Sequence, residues 1–138
     1  SNDVLTYAEE SKTNDIVIKD ADLIVEEYLS GLNLPVMIDF IDEHMLVVEK
    51  NEGTIKIIKN CILISEPILQ LEVSDETEEG LLGILVQNNN VFLHHTTNSM
   101  DDGTVSNWFT KYTWNDGEKL IIPIFSFSTI LLPTAACL

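Results

Sequence analysis

Arginine is absent from all 138 positions of this chain, and seven lysines stand against 23 aspartates and glutamates, for a formal net charge of −16. Without arginine there is no planar guanidinium fork to clamp a phosphate or carboxylate substrate. Seven scattered lysines form no basic stripe that could release counterions from a nucleic acid. The same deficit disfavours an anionic membrane surface. The expected partner list therefore contains no nucleic acid and no membrane.

Cysteine is scarce as well. Cys61 and Cys137 are too few for a disulfide framework. Cys61 sits in the apolar run Ile57-Ile58-Lys59-Asn60-Cys61-Ile62-Leu63-Ile64, which reads as the setting of a buried free thiol; a bond to Cys137 stays open. No apolar run approaches the roughly 20 residues that span a bilayer as a helix. The longest, Leu120 to Leu132, is broken by Pro123 and by three hydroxyl residues. The first fifteen residues lack the basic and apolar blocks of a signal peptide. A soluble protein, cytoplasmic or virion-associated, is expected. Nucleotide-binding glycine loops and a G-x-S-x-G elbow are missing too, so no cofactor and no catalytic residue is indicated.

What the chain does have is apolar mass. Hydrophobic residues make up 45%, too many for a disordered acidic chain. The expected organisation is a polar arm over residues 1–15 and one β-rich domain over 16–138. Asp15 to Lys19 reads as a short strand. Asp20 can cap a helix from Ala21 to Ser30, with Ile24, Tyr28 and Leu32 on one stripe, Gly31 as its stop and Pro35 soon after. From Leu34 onward the pattern is β. Strands are expected at 36–41, 45–49, 54–59, 61–65, 68–73, 81–87, 91–96, 105–114, 119–125 and 127–132. The last two merge if Ser126 is no break, and 54–59 merges with 61–65 if Lys59-Asn60 is none. Turn chemistry separates them, with Asn115-Asp116-Gly117 the strongest hairpin signal. The fold class is mainly β: a small barrel or sandwich of antiparallel strands with one short N-terminal helix. No repeat at a fixed period is visible, which argues against a solenoid or propeller.

Leu34-Pro35-Val36-Met37-Ile38, together with Asp42-Glu43-His44-Met45-Leu46-Val47-Val48, resembles parts of the Sm and Hfq family. Asp42, Met45, Leu46 and Val47 match its acid-plus-aliphatic strand pattern. The run from Ile57 to Ile64 is similar to its second motif, two strands meeting at a short turn. Over residues 21–65 the resemblance implies a short helix ahead of a bent sheet in a ring-forming domain. Leu46 and Asn60 stand where the family's branches carry their RNA-contacting asparagine and histidine, so it implies ring assembly rather than RNA binding.

Residues that invite a chemical role have plainer readings beside it. On a strand, His94 and His95 point to opposite faces and cannot chelate one metal; one should pack and the other face water. Asp101-Asp102-Gly103 and Asn115-Asp116-Gly117 lack the calcium-loop pattern and read as turns. Trp108, Tyr112 and Trp114 differ by even numbers and share a face, either a core face or an aromatic face for a partner. The acidic run holding Asp75, Glu76, Glu78 and Glu79, and the apolar tail holding Leu131, Leu132 and Leu138, are the candidate partner-binding residues. Three functions remain. One is a non-enzymatic assembly or interaction protein that self-associates or joins a protein partner, such as a virion-associated or other accessory structural protein. Another is an acidic inhibitor that imitates nucleic acid before a basic protein. The third is a small hydrolase or lyase with carboxylates in a barrel mouth.

The charge yields a direct test. Fluorescence-anisotropy titration at physiological salt should show no submicromolar binding of duplex DNA or RNA.

Overall fold

The computed structural model describes residues 17–98, 102–115 and 119–130, the last stretch in its backbone. Among the described residues there are nine strands and no helix. They are β1 (Pro35–Ile41), β2 (His44–Glu49), β3 (Thr54–Lys59), β4 (Ile62–Leu63), β5 (Leu69–Gln70), β6 (Leu81–Gln87), β7 (Asn90–Asn98), β8 (Val105–Asn115) and β9 (Lys119–Ile130). All pair antiparallel, in two sheets.

The mainly-β expectation holds, and the two last expected strands are one through Ser126. The helix does not form. Ala21 to Ser30 carries no helical turn, and Leu23, Ile24, Val25 and Tyr28 are exposed. A ten-residue helix depends on burying its apolar stripe, and here no surface receives it; Ile24 and Val25 also resist helical rotamers. The strand expected at Asp15–Lys19 is absent over 17–19. The rest of that strand, the arm at 1–15, Asp101, Asp116, Gly117 and the tail residues Leu131, Leu132, Cys137 and Leu138 lie outside the described residues.

The barrel alternative falls as well. Each sheet is an up-and-down meander in chain order, β1-β2-β3-β4 with β5 also on β3, and β6-β7-β8-β9. First and last strands never meet, so neither sheet closes. β4 pairs with Ile58 and Lys59, and β5 with Thr54 and Ile55. They are two halves of one edge strand interrupted around Pro67, which has no N–H to give a ladder. The same four-strand plan is thus built twice, a repeat of architecture with no matching residue period.

Period-two alternation decides which side chains enter the layer between the sheets. Sheet one contributes Ile41, Leu46, Val48, Ile55 and Ile57; sheet two contributes Leu81, Ile84, Val91, Leu93, Tyr112 and Trp114. Two carboxylates stitch the sheets at this seam. Asp39 Oδ2 accepts the Val86 N–H at 2.6 Å, and Asp42 Oδ2 accepts the Trp114 Nε1–H at 3.2 Å. Tyr112 and Trp114 are therefore core residues, while Trp108 is half-buried and donates to Thr97 Oγ1 at 2.8 Å.

Turns follow backbone chemistry. Asn60 and Cys61 both take positive φ, 50° and 62°, between the paired residues Lys59 and Ile62. This is the primed-turn geometry that suits strand twist. It also corrects the reading of Cys61, whose thiol is free and exposed at the turn rather than buried. Thr104 N–H donates to Asp102 Oδ1 at 2.9 Å, the local bond expected of a turn aspartate.

The histidine pair divides as alternation requires. His94 stacks on Phe109, centroids 4.6 Å apart, and contacts Asn107 Oδ1 at 3.2 Å. His95 is 8% exposed on the opposite face; its Nε2 meets Thr110 Oγ1 at 3.2 Å and its Nδ1 has no partner. Desolvation, with a smaller contribution from His94, lowers the His95 pKa to about 4.

Two outcomes follow. Trp114→Ala should cost about 3–5 kcal/mol, read as a lower denaturant midpoint, since it empties a core site and orphans Asp42. His95 is neutral when folded, so its protonation on unfolding weakens the fold as pH drops from 6.5 toward about 4. Unfolding free energies from urea titrations should fall across that window by at most ~3 kcal/mol more in the parent than in His95→Phe.

Candidate functional site

At the end of the sheets that carries the β2–β3 turn, three segments enclose an open cleft of about 950 Å³. The turn supplies Asn51 and Glu52, the connection leading into β6 supplies Glu72, Asp75 and Glu76, and the end of β7 supplies Asn98. Glycine makes this crowding possible. Gly53 has φ +65°, and a Cβ there would stand 2.3 Å from the Leu71 carbonyl oxygen; Gly80 has φ +138°, and a Cβ would stand 2.6 Å from the Lys50 carbonyl oxygen.

Backbone bonds hold the connection in place. Leu71 N–H donates to Gly53 O at 2.9 Å, Ser74 N–H to Thr96 O at 3.0 Å, and Leu81 N–H to Lys50 O at 2.9 Å. Thr96 N–H donates to Gly80 O at 2.9 Å, and Gly80 N–H to Thr96 Oγ1 at 2.6 Å. Lys50 Nζ bonds the Thr77 carbonyl, and the Ser74 hydroxyl bonds Glu79. A loop pinned at so many points can position side chains.

Beside the cleft, Glu49 anchors the incoming chain. It is 1% exposed. Its carboxylate accepts the Asn33 N–H at 2.6 Å and the Thr54 hydroxyl at 2.6 Å, and faces Lys56 Nζ at 3.2 Å. Burial alone would raise its pKa; these three donors outweigh it and hold the carboxyl below the ordinary range. Glu52 meanwhile accepts a bond from Asn33 Nδ2 at 2.8 Å.

The lining is therefore rich in hydrogen-bond acceptors. Carboxylates come from Glu52, Glu72, Asp75 and Glu76, amides from Asn51, Gln70 and Asn98, and among the described residues no lysine lines the wall. Such a surface suits hydroxyl or ammonium donors and repels anions. Among the described residues, no three His, Cys, Asp or Glu side chains converge as a metal site.

The expected partner-binding acids separate here. Asp75 and Glu76 line the cleft, Glu79 turns to Ser74, and Glu78 is exposed outside it. Gln70, Glu72, Asn51 and Asn98 were not anticipated. They belong to three distant stretches, and only the meander order brings those loops to one end.

No protein-family profile and no curated protein sequence matches the chain. Among solved structures, a Thermus thermophilus protein described as an oxidoreductase (glucose dehydrogenase) is similar over 70% of this chain, with a TM-score of 0.59 and 24% identity. The match spans 29% of that protein's length, so the likeness is one of fold over less than a third of a longer chain.

Proposed function

We propose that this chain provides two neighbouring sheets of a radial, propeller-like β fold belonging to an oxidoreductase of sugars or related polyols, with the acidic cleft receiving substrate hydroxyls. The carrying observation is the cleft wall itself: convergent carboxylate and amide acceptors and, among the described residues, no lysine. Neutral polyhydroxylated molecules satisfy many acceptors at once, whereas phosphorylated ones meet repulsion. Four-stranded meanders packed face against face are the units that radial β folds repeat. The Thermus protein's description as a glucose dehydrogenase supports the substrate class. This reading revises the sequence-based argument against a propeller: a blade repeats in strand plan without repeating in residues.

In such a site, Glu72, Asp75 and Glu76 would accept hydrogen bonds from substrate hydroxyl groups and so orient them.

The assembly reading keeps one specific support. Val36, Met37, Ile38 and Phe40 leave β1 apolar and half-exposed on both faces. Within a radial fold this is where neighbouring structure would lie, so the two readings share one surface.

Saturation-transfer NMR and calorimetry should detect millimolar binding of D-glucose or another neutral aldose, weakened about tenfold or more in Glu72→Gln/Asp75→Asn, and no binding of the 6-phosphate. Binding that ignores both substitutions, or preference for the phosphate, would sink the proposal.

A further inference from the structure

The chain ahead of β1 is fastened to the sheets at two places. At one, the Tyr28 hydroxyl meets Cys61 Sγ at 3.4 Å in the β3–β4 turn. At the other, Asn33 and Leu34 bond the end of β2 and the turn that follows it. Asn33 N–H donates to Glu49 Oε1 at 2.6 Å, Asn33 Nδ2–H donates to Glu52 Oε1 at 2.8 Å, and Lys50 N–H donates to Leu34 O at 3.2 Å. Glu49 is buried and Glu52 lines the cleft. Asn33 therefore joins a buried anchor to the cleft wall.

The two ends of this bridge differ in rigidity. Glu49 is held by the Thr54 hydroxyl at 2.6 Å and by Lys56 Nζ at 3.2 Å as well as by Asn33. Losing any of these donors would leave a buried charge undersatisfied, which is costly. The main chain at Asn33 is thereby fixed, and its short side chain carries the amide to a defined place. Glu52 stands on a turn, where a glutamate explores many rotamers. Freezing them when a ligand arrives weakens affinity. The Asn33 amide freezes them in advance. It occupies one carboxylate oxygen and leaves the other to a ligand.

We propose that Asn33 is a positioning residue of the cleft: through it, the buried cluster of Glu49, Thr54 and Lys56 holds the Glu52 carboxylate in the pose that meets a ligand hydroxyl. The chain ahead of β1 thereby sets the affinity of a site whose wall, among the described residues, begins only at Asn51. The inference rests on the reading of the cleft as a ligand site, and adds to it a group that acts without lining it. The competing account is an exposed hydrogen bond with no consequence for the cleft.

Carbon-13 relaxation of Glu52 Cγ, measured on this chain without ligand, tests it. The Glu52 side chain should be ordered in the parent. In Asn33→Ala it should become as mobile as that of the exposed Glu78, with Glu72 unchanged. Asn33→Asp keeps the shape and the main-chain bond to Glu49 but has no side-chain N–H to donate, so it should loosen Glu52 as fully as the alanine does. Amide exchange in β2 and β7 should match the parent in both variants, which shows an intact fold. Calorimetry with D-glucose as the probe should then give a Kd raised about fivefold by Asn33→Ala. Adding Asn33→Ala to Glu52→Ala should change nothing further. Equal Glu52 order in the parent and in Asn33→Ala overturns the proposal. So does a loss of affinity on Asn33→Ala that persists in the Glu52→Ala background. A parent that binds no glucose overturns the sugar reading alone, because the relaxation result decides the positioning role by itself.

Discussion

Everything in this molecule hangs on one apolar layer shared by two sheets. Each meander turns an apolar face to the other, and sheet one also buries Val47 and Ile58 on its opposite face. Leu46, Val48, Ile55 and Ile57 on one side interdigitate with Leu81, Ile84, Val91 and Leu93 on the other, and Tyr112 and Trp114 close the layer. Trp114 shows how packing and polarity are reconciled: the ring fills the core and its N–H reaches the Asp42 carboxylate across the seam.

That layer also decides where the loops go. With both meanders running in chain order and face to face, the β2–β3 turn, the connection into β6 and the end of β7 converge at one end. Gly53 and Gly80 let backbones approach more closely there than any side chain would allow. The resulting cleft is defined by acceptors, and its acidity is a local expression of the whole chain's charge. An excess of carboxylates keeps anionic ligands away and leaves neutral or cationic ones.

Charge and exposure together give the surface its logic. The acids lie mostly on loops, where they are hydrated. Glu49 is an exception, buried because Asn33, Thr54 and Lys56 satisfy it and thereby fix the path of the chain entering β1. The exposed apolar groups concentrate instead on residues 17–34 and on β1. Hydrophobic groups gathered on edges, rather than scattered singly, mark surfaces that another element covers.

Much of the strand plan was legible from residue order alone. Alternation and turn residues located β1, β2, β3, β6 and β8 to within a residue or so; even spacing grouped Trp108, Tyr112 and Trp114 on one face, and the structure makes Tyr112 and Trp114 core while Trp108 is half-buried. His94 and His95 were separated onto opposite faces by the same rule. These features are local: a pleat has period two whatever it packs against. Residues 21–30 show the limit. Their spacing fits a helical stripe as well as a strand, and only the lack of a surface to bury that stripe decides against the helix. Cys61 moved from core to surface because two positive-φ residues made a turn inside an apolar run. The cleft was half visible, through Asp75 and Glu76. Asn51, Gln70, Glu72 and Asn98 join them only because sheet stacking brings distant loops to one end. Sequence by itself determined charge, composition and the strand rhythm; tertiary structure decided which faces are buried, which loops meet and which apolar segment is left exposed, because those outcomes depend on what each element finds to pack against.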